Sequence, residues 1–206
     1  FPDTPLVLMV RNDHPAKNVK ELYDYPKKNP DQVFLGNAGL GSSSHLIAAL
    51  VANADGADVK HVPYKGAGPA MIDVVGGQID GMYDQTNTAF PQINEKRVRA
   101  LAVTSKTRLP QLKDVPTLSE TILPGFEAST WYGIYAPKGT PKAAVEKMQN
   151  SFLKAMKDKA YTDKLQAQAI QLLPEQQYLG SSLAKHTEAE VIRWRAVAAK
   201  SSIAMD

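Results

Sequence analysis

The chain has no cysteine among its 206 residues. That excludes a disulfide framework, a thiolate metal site and a cysteine nucleophile. It leaves the compartment open, since secreted proteins can also lack cysteine. Charge of one sign is scarce: 24 Lys and Arg stand against 21 Asp and Glu, a net of +3. The two signs are interspersed with no basic stripe, so nucleic acid is not an expected partner. Apolar runs fall far short of the ~20 residues needed to span a bilayer. No signal-peptide pattern is present. The given residues open Phe1-Pro2-Asp3-Thr4-Pro5 without an initiator methionine, which reads as a processed or truncated product and takes the weight off missing targeting segments.

The usual catalytic signatures are missing as well. There is no Gly-x-Ser-x-Gly elbow for a serine hydrolase. No Gly-Lys-Ser/Thr follows the glycines at Walker spacing, and no dinucleotide fingerprint occurs. His14, His45, His61 and His186 show no metal-ligand spacing. His45 reads as a packed or capping residue and His186 as surface. Asp73 and Asp80 flank Gly76-Gly77, where helix-end or structural hydrogen bonding explains them as well as acid–base chemistry does. No cofactor and no metal is expected. What is present is ordinary globular composition, 43% hydrophobic and 22% charged, and enough chain for one large domain or two small ones.

Short apolar strands alternate with helices. Leu6 to Val10 reads as a buried strand. Asn18, with Glu21 three residues on, opens a helix to about Lys28, which Asn29-Pro30-Asp31 ends. Val33 to Leu35 is a strand, followed by the glycine loop Gly36 to Gly41 and a helix that starts at Ser42 to Ser44 and runs through Val51. Val59 to Val62 is a strand, then come a loop over Pro63 to Gly68, a helix over Pro69 to Val75 closed by the double glycine, and a strand over Ile79 to Tyr83. A helix over Thr86 to Glu95 and a strand over Val98 to Val103 follow. This rhythm predicts a mainly parallel sheet covered by helices. Residues 106–125 read as irregular with one helical turn, and Phe126 to Ala136 as extended. Beyond Thr140-Pro141 helices dominate, near 141–157, 160–169 and 175–199.

Three polar loops follow strands. Gly36-Asn37-Ala38-Gly39-Leu40-Gly41-Ser42-Ser43-Ser44-His45 joins a strand end to a helix start. Free helix N-terminal amides, the macrodipole and three hydroxyls suit an anion there; an ordinary capped helix with spare serines would read the same. Tyr64-Lys65-Gly66 offers an aromatic wall and a cation, although Tyr64 also suits a core edge and Lys65 a solvated charge. Tyr83-Asp84-Gln85-Thr86-Asn87 is the third loop. Ligands of open α/β sheets bind at the carboxyl ends of strands, so the three loops are expected to converge on one crevice.

These segments resemble a family. His61-Val62-Pro63-Tyr64-Lys65-Gly66, then Gly68-Pro69-Ala70, Asp73, Gly76-Gly77-Gln78-Ile79-Asp80 and Met82-Tyr83-Asp84 are similar to the signature of the Bug, or TctC-type, periplasmic solute receptors. These are the binding subunits of tripartite tricarboxylate transporters. Asn37-Ala38-Gly39, Gly41-Ser42, His45-Leu46, Arg99 to Ser105, Asp114-Val115-Pro116-Thr117, Trp131-Tyr132-Gly133 and Gly139-Thr140-Pro141 extend the match in the family's order.

The resemblance implies an α/β, periplasmic-binding-protein-like fold of two lobes, here one complete lobe plus the C-terminal helical part of the other. Residues 12–128 would be the complete ligand-binding lobe. Residues 1–11 and 129–136 would be the crossing strands of the hinge, and 137–206 the C-terminal helices of the incomplete first lobe. The family's N-terminal part of that lobe, with the glycine loop that supplies the other half of the grip, would be absent. The helices that cover it would then expose apolar faces, which an incomplete sequence, proteolysis or association with another chain would each explain.

The implied ligand is a small carboxylate: a di- or tricarboxylate, an acidic amino acid or an aromatic acid. The implied contacts are Ala38, Gly39, Ser42, Ser43 and Ser44 at the anion, with Tyr64 and Asp84 shaping the rest. Asn37, standing where many relatives have serine, and Gln85 would tune specificity. Asp84 would repel a carboxylate and so suits water, a ligand amine or a hydroxyl. The implied function is an extracytoplasmic, periplasmic receptor, not an enzyme, that closes on its ligand and hands it to membrane transporter subunits. The alternatives are a carboxylate sensor feeding a signalling partner and, from another class, a hydrolase or lyase on an α/β scaffold.

Overall fold

The computed structural model describes residues 3–29 and 33–200. Strand β1 (Thr4–Arg11) is buried along seven of its eight residues because it is covered on both faces, which is why it reads as a continuous apolar run rather than an alternation. Its side chains still alternate. Leu6, Leu8 and Val10 enter one core layer with Leu35, Ile47 and Tyr83. Val7 and Met9 enter the other with Val74, Met82 and Phe90. Each such aliphatic side chain withdrawn from water contributes about 1.5–3 kcal/mol.

Helix α1 (Val19–Lys28) starts as expected: Asn18 Oδ1 accepts from the Glu21 amide at 2.9 Å. Glu21 reaches back to the Lys17 amide at 2.8 Å rather than to that of Asn18. The chain stop expected at Pro30-Asp31 lies outside the described residues. Then follow β2 (Phe34–Asn37), α2 (Ser43–Asp55), β3 (Lys60–Pro63), α3 (Ala67–Val75), β4 (Gly81–Gln85), α4 (Thr86–Asn94) and β5 (Val98–Val103). Helix α3 begins two residues before Pro69, on Gly66 at φ 112°. Proline is tolerated there because first-turn amides have no intrahelical acceptor. Strand β4 begins two residues later than the apolar pattern of Ile79 suggests, since Gln78 and Ile79 donate their amides to the Asp73 carbonyl and are still closing α3.

The sheet order is β3-β2-β4-β1-β5. Strands β2, β3 and β4 are parallel, but β1 is antiparallel to both β4 and β5. The mainly parallel sheet read from the sequence is thus a mixed one, with one long reversed strand, β1, set between β4 and β5. The rhythm of strand and helix fixes crossovers between the strands that follow; it carries no signal for the direction of the strand that enters first. Near its start β1 also pairs with the two-residue β6 (Ser129–Thr130) through Thr4 and Pro5. Phe126 to Ala136 is otherwise irregular. Residues 106–125 hold one 3-10 turn and α5 (Leu118–Thr121), opened by a reciprocal Thr117–Glu120 capping box.

Helices α6 (Lys142–Ala155) and α7 (Lys159–Ala167) bury none of their side chains. Val145 is 45% exposed and Met148 57%. Helix α8 (Gly180–Lys200) returns to the sheet domain, where Trp194 packs on the first core layer.

Candidate functional site

Strands β3, β2 and β4 are neighbours and run the same way, so Pro63, Asn37 and Gln85 end at one edge. Asn37 pairs with Pro63, and Gly36 with Met82. The Tyr64 amide donates to the Asn37 carbonyl at 3.0 Å. Gly36 keeps this junction close, since a Cβ there would meet Ile79 Cδ1 at 2.6 Å and Ala70 Cβ at 3.3 Å. The sheet order therefore brings the three loops to one edge of the sheet, while their side chains divide between its two faces.

The glycine loop after β2 turns through Gly39 at φ 125° and Gly41 at φ 75°, backbone that side chains rarely allow. Most of its amides are engaged within the loop. Ala38 N–H donates to Ser44 Oγ at 3.0 Å, Gly39 N–H to Asn37 Oδ1 at 3.0 Å and Gly41 N–H to His45 Nδ1 at 3.0 Å. Ser42 is the N-cap of α2: its hydroxyl accepts weakly from the His45 amide at 3.4 Å and donates to the Gly39 carbonyl at 2.7 Å. Ser44 is buried, with its Oγ 3.1 Å from that of Ser42. Ala38, Gly39, Ser42 and Ser44 thus shape the loop. The amides of Ser43 and Ser44, first and second in the helix, have no protein acceptor among the described residues.

Asn37 adds a second, independent feature. Its side chain is fully buried, and the Gly39 amide fixes which end is oxygen. Its Nδ2 is then a buried donor without a partner. Such a group costs about 1–3 kcal/mol if nothing occupies it. It is an unsatisfied donor in the same loop as the free helix N-terminal amides.

The other expected residues divide. Tyr64 is half-buried and donates to Asp73 Oδ2 at 2.7 Å; burial and the Asp73 carboxylate together push its phenol up to about 12. Asp84 lies two residues past Met82, on the α3/α4 face, and accepts from Thr88 Oγ1 at 2.6 Å. Asn37, two past Leu35, is on the opposite face of the sheet. Burial raises the Asp84 pKa. Gln85 does not point to the loop: its amide pairs with the Tyr132 hydroxyl at 2.7 and 2.9 Å, linking the β4 end to the segment after β6. Lys65 is exposed. His186 is exposed and meets Trp131 edge-on at 4.7 Å.

Sequence reasoning missed the other wall. Gly41 and Ser43 open onto a cleft of about 490 Å3 whose far side is Thr130, Trp131, Glu190 and Arg195. Thr130 Oγ1 is buried and unpartnered, as is Thr86 Oγ1 at the start of α4. Residues 130 and 195 are far from the glycine loop in sequence, so no local pattern could associate them with it. Among the described residues no cluster of His, Asp and Glu could hold a metal ion.

A helix-covered α/β sheet with loops gathered at its strand ends, followed by a further set of helices, is the build of a periplasmic binding protein. The solved structure of the periplasmic binding protein BugD matches this chain with a TM-score of 0.92 and 37% identity, over 98% of this chain and 67% of that one. MatC of Rhodopseudomonas palustris, solved with bound malate, matches with a TM-score of 0.89 and 32% identity, over 95% of this chain and 67% of that one. Residues 2–202 match the tripartite tricarboxylate transporter family receptor, and the chain belongs to that family. The UPF0065 protein in the tcbD-tcbE intergenic region of Pseudomonas sp. (strain P51) is 44% identical over 153 residues, 74% of this chain and 46% of that protein. The chain spans about half the length of the curated relatives it matches. The matched family is one of solute-binding receptors rather than enzymes.

Proposed function

We propose that this chain is the ligand-gripping part of a periplasmic receptor that captures a small carboxylate by closure of two lobes and presents it to the membrane subunits of a tripartite transporter. The observation that carries the reading is that one loop holds both the buried, unpartnered Asn37 Nδ2 and the open amides of Ser43 and Ser44. A carboxylate can accept from all three, and hydrogen bonds to a charged acceptor are the strong ones. The malate bound by MatC supports a carboxylate as the ligand class. Ser42, Ser44, Ala38 and Gly39 then form the cradle; Tyr64, Asp84 and Gln85 shape the wall and the hinge side. Asp84, buried against Thr88, suits a ligand hydroxyl or amine more than a second carboxylate.

In this reading residues 12–128 form one lobe, with β1, expected above as a crossing strand, built into its sheet between β4 and β5, and 129–136 cross to the other. Closure is a hinge motion that the ligand selects by binding the closed state better. The groove between Ile134, Tyr135, Val145, Met148, Phe152 and Leu183 is apolar and about 350 Å3. One third of the BugD chain has no counterpart here, and the corresponding part of the intact receptor would cover this groove. No helix of the described residues is long and apolar enough to cross a membrane. Calorimetry of the intact receptor against malate and a panel of mono-, di- and tricarboxylates tests the proposal. Saturable binding without product formation is expected; no binding across the panel, or turnover, refutes it.

A further inference from the structure

We propose that His45 is a positioning residue of the carboxylate site, holding the glycine loop in its binding shape through the Gly41 amide, and that it does so only as a neutral imidazole. The inference rests on the carboxylate-binding reading above.

Gly41 is the second positive-φ residue of the loop and stands two residues before the first free amide, that of Ser43. A loop containing two such glycines gains much entropy when released, so its shape depends on its tethers. Ala38 and Gly39 are tied at the β2 side, by Ser44 Oγ and Asn37 Oδ1. On the helix side the tether of Gly41 is His45 Nδ1, which accepts its N–H at 3.0 Å. His45 itself is 7% exposed and set in place by packing: its ring meets that of His61 edge-on at 5.3 Å and 80°.

An imidazole nitrogen that accepts a hydrogen bond must carry a lone pair, so the proton sits on Nε2. An imidazolium has no lone pair, and protonation turns the Gly41 contact into two opposed donors. The surroundings resist that event. His45 stands in the first turn of α2, where the helix dipole is positive. Helix α2 packs on β2, β3, β4 and α8. From β3 the facing group is His61, and Lys60 of that strand pairs with Asp58 at 2.9 Å. Strand β2 brings no titratable group. On β4 Tyr83 bonds Tyr23 at 2.9 Å, and Asp84 lies on the other face with Thr88. On α8 Arg195 lines the cleft with Gly41, while Glu190 is engaged by Arg193 and Trp194. Burial lowers the His45 pKa. Below that lowered pKa the clamp opens; above it the clamp holds.

Asparagine is the discriminating replacement, because its Oδ1 can take the place of Nδ1 as acceptor and does not titrate. The test measures malate affinity of the intact receptor by calorimetry across pH, together with hydrogen exchange of the Gly41 amide in the ligand-free protein. His45→Ala is expected to bind malate about tenfold more weakly at neutral pH, the worth of one hydrogen bond, and to lose Gly41 protection. His45→Asn is expected to restore both. Wild type is expected to lose affinity on the acid side of ordinary imidazole titration more steeply than His45→Asn, which carries the same malate titration as its own control. His45→Asn as weak as His45→Ala in a folded protein, or superimposable pH profiles of wild type and His45→Asn, overturns the proposal. Should malate not bind wild type, the carboxylate reading fails for malate, and the clamp is still decided by Gly41 exchange: protection equal in wild type and His45→Ala overturns it.

Discussion

Asn37→Asp replaces the proposed carboxylate donor with an acceptor of the same shape. The retained Oδ1 still accepts from the Gly39 amide at the 3.0 Å geometry of the native residue, so the loop keeps its turn. What changes is the unpartnered buried Nδ2, which becomes a carboxylate oxygen. Losing a hydrogen bond to a charged ligand removes about 1.5–3 kcal/mol. Two unit charges about 4 Å apart near a protein surface repel by a further ~4 kcal/mol before screening by solvent and salt. About a third of that repulsion, added to the lower of those figures, brings the total to ~2.7 kcal/mol, a hundredfold loss of affinity. Calorimetric titration of the intact receptor with malate at neutral pH, beside a urea denaturation curve to establish that the variant folds, measures it. Because the position is fully buried, the new carboxyl is expected to be raised in pKa. Protonation would return a donor, so part of the lost affinity comes back as the pH falls. Affinity within about threefold of wild type at neutral pH, in a folded variant, would show that Nδ2 does not meet the ligand; threefold is only ~0.65 kcal/mol.

Three further outcomes are expected. Ser44→Ala, which strands the Ala38 amide, should lower stability to urea by about 1–2 kcal/mol as well as weakening ligand, whereas Ser43→Ala should leave the urea midpoint unchanged; equal midpoints for the two variants would contradict the loop geometry. Tyr83→Phe removes half of the buried Tyr23–Tyr83 hydroxyl pair and should cost about 1–2 kcal/mol, with the double Phe variant costing less than the sum of the singles; strict additivity would mean that the pair does not form. His61 is pushed down to about 4, by burial first and by His45 second, while its unfolded value is near 6.5. The unfolded chain therefore binds more protons between those values, and stability falls as pH drops from about 6.5 to 4. His61→Gln should flatten the urea midpoint across that window, and an unchanged slope would refute the assignment.

Much of the fold was legible because local chemistry and tertiary structure agree. Asn18 caps α1, the double glycine Gly76-Gly77 closes α3, and the apolar run Leu6 to Val10 is a strand with both faces covered. The direction of β1 was not legible. Its sequence reads the same either way, and the antiparallel pairing to β4 and β5 is set by where the chain enters the sheet. The start of α3 was misread for a local reason: Pro69 suits a first position, but Gly66 at φ 112° lets the turn begin earlier.

The site was legible as a set of loops and not as a set of atoms. Sequence spacing alone placed Ser42, Ser43 and Ser44 at a helix start, but it treated three hydroxyls as equivalent. The structure gives each a different task. Ser42 caps the helix, Ser44 turns inward to hold Ala38, and Ser43 faces the cleft. Once these internal bonds are made, an ordinary capped helix and an anion site still look alike at the serines. What separates them is Asn37, whose Oδ1 is spent on Gly39 and whose Nδ2 is left buried without an acceptor. The argument for a ligand therefore moves from the residues that first suggested it to the one buried side-chain atom of the loop that is left without a partner among the described residues.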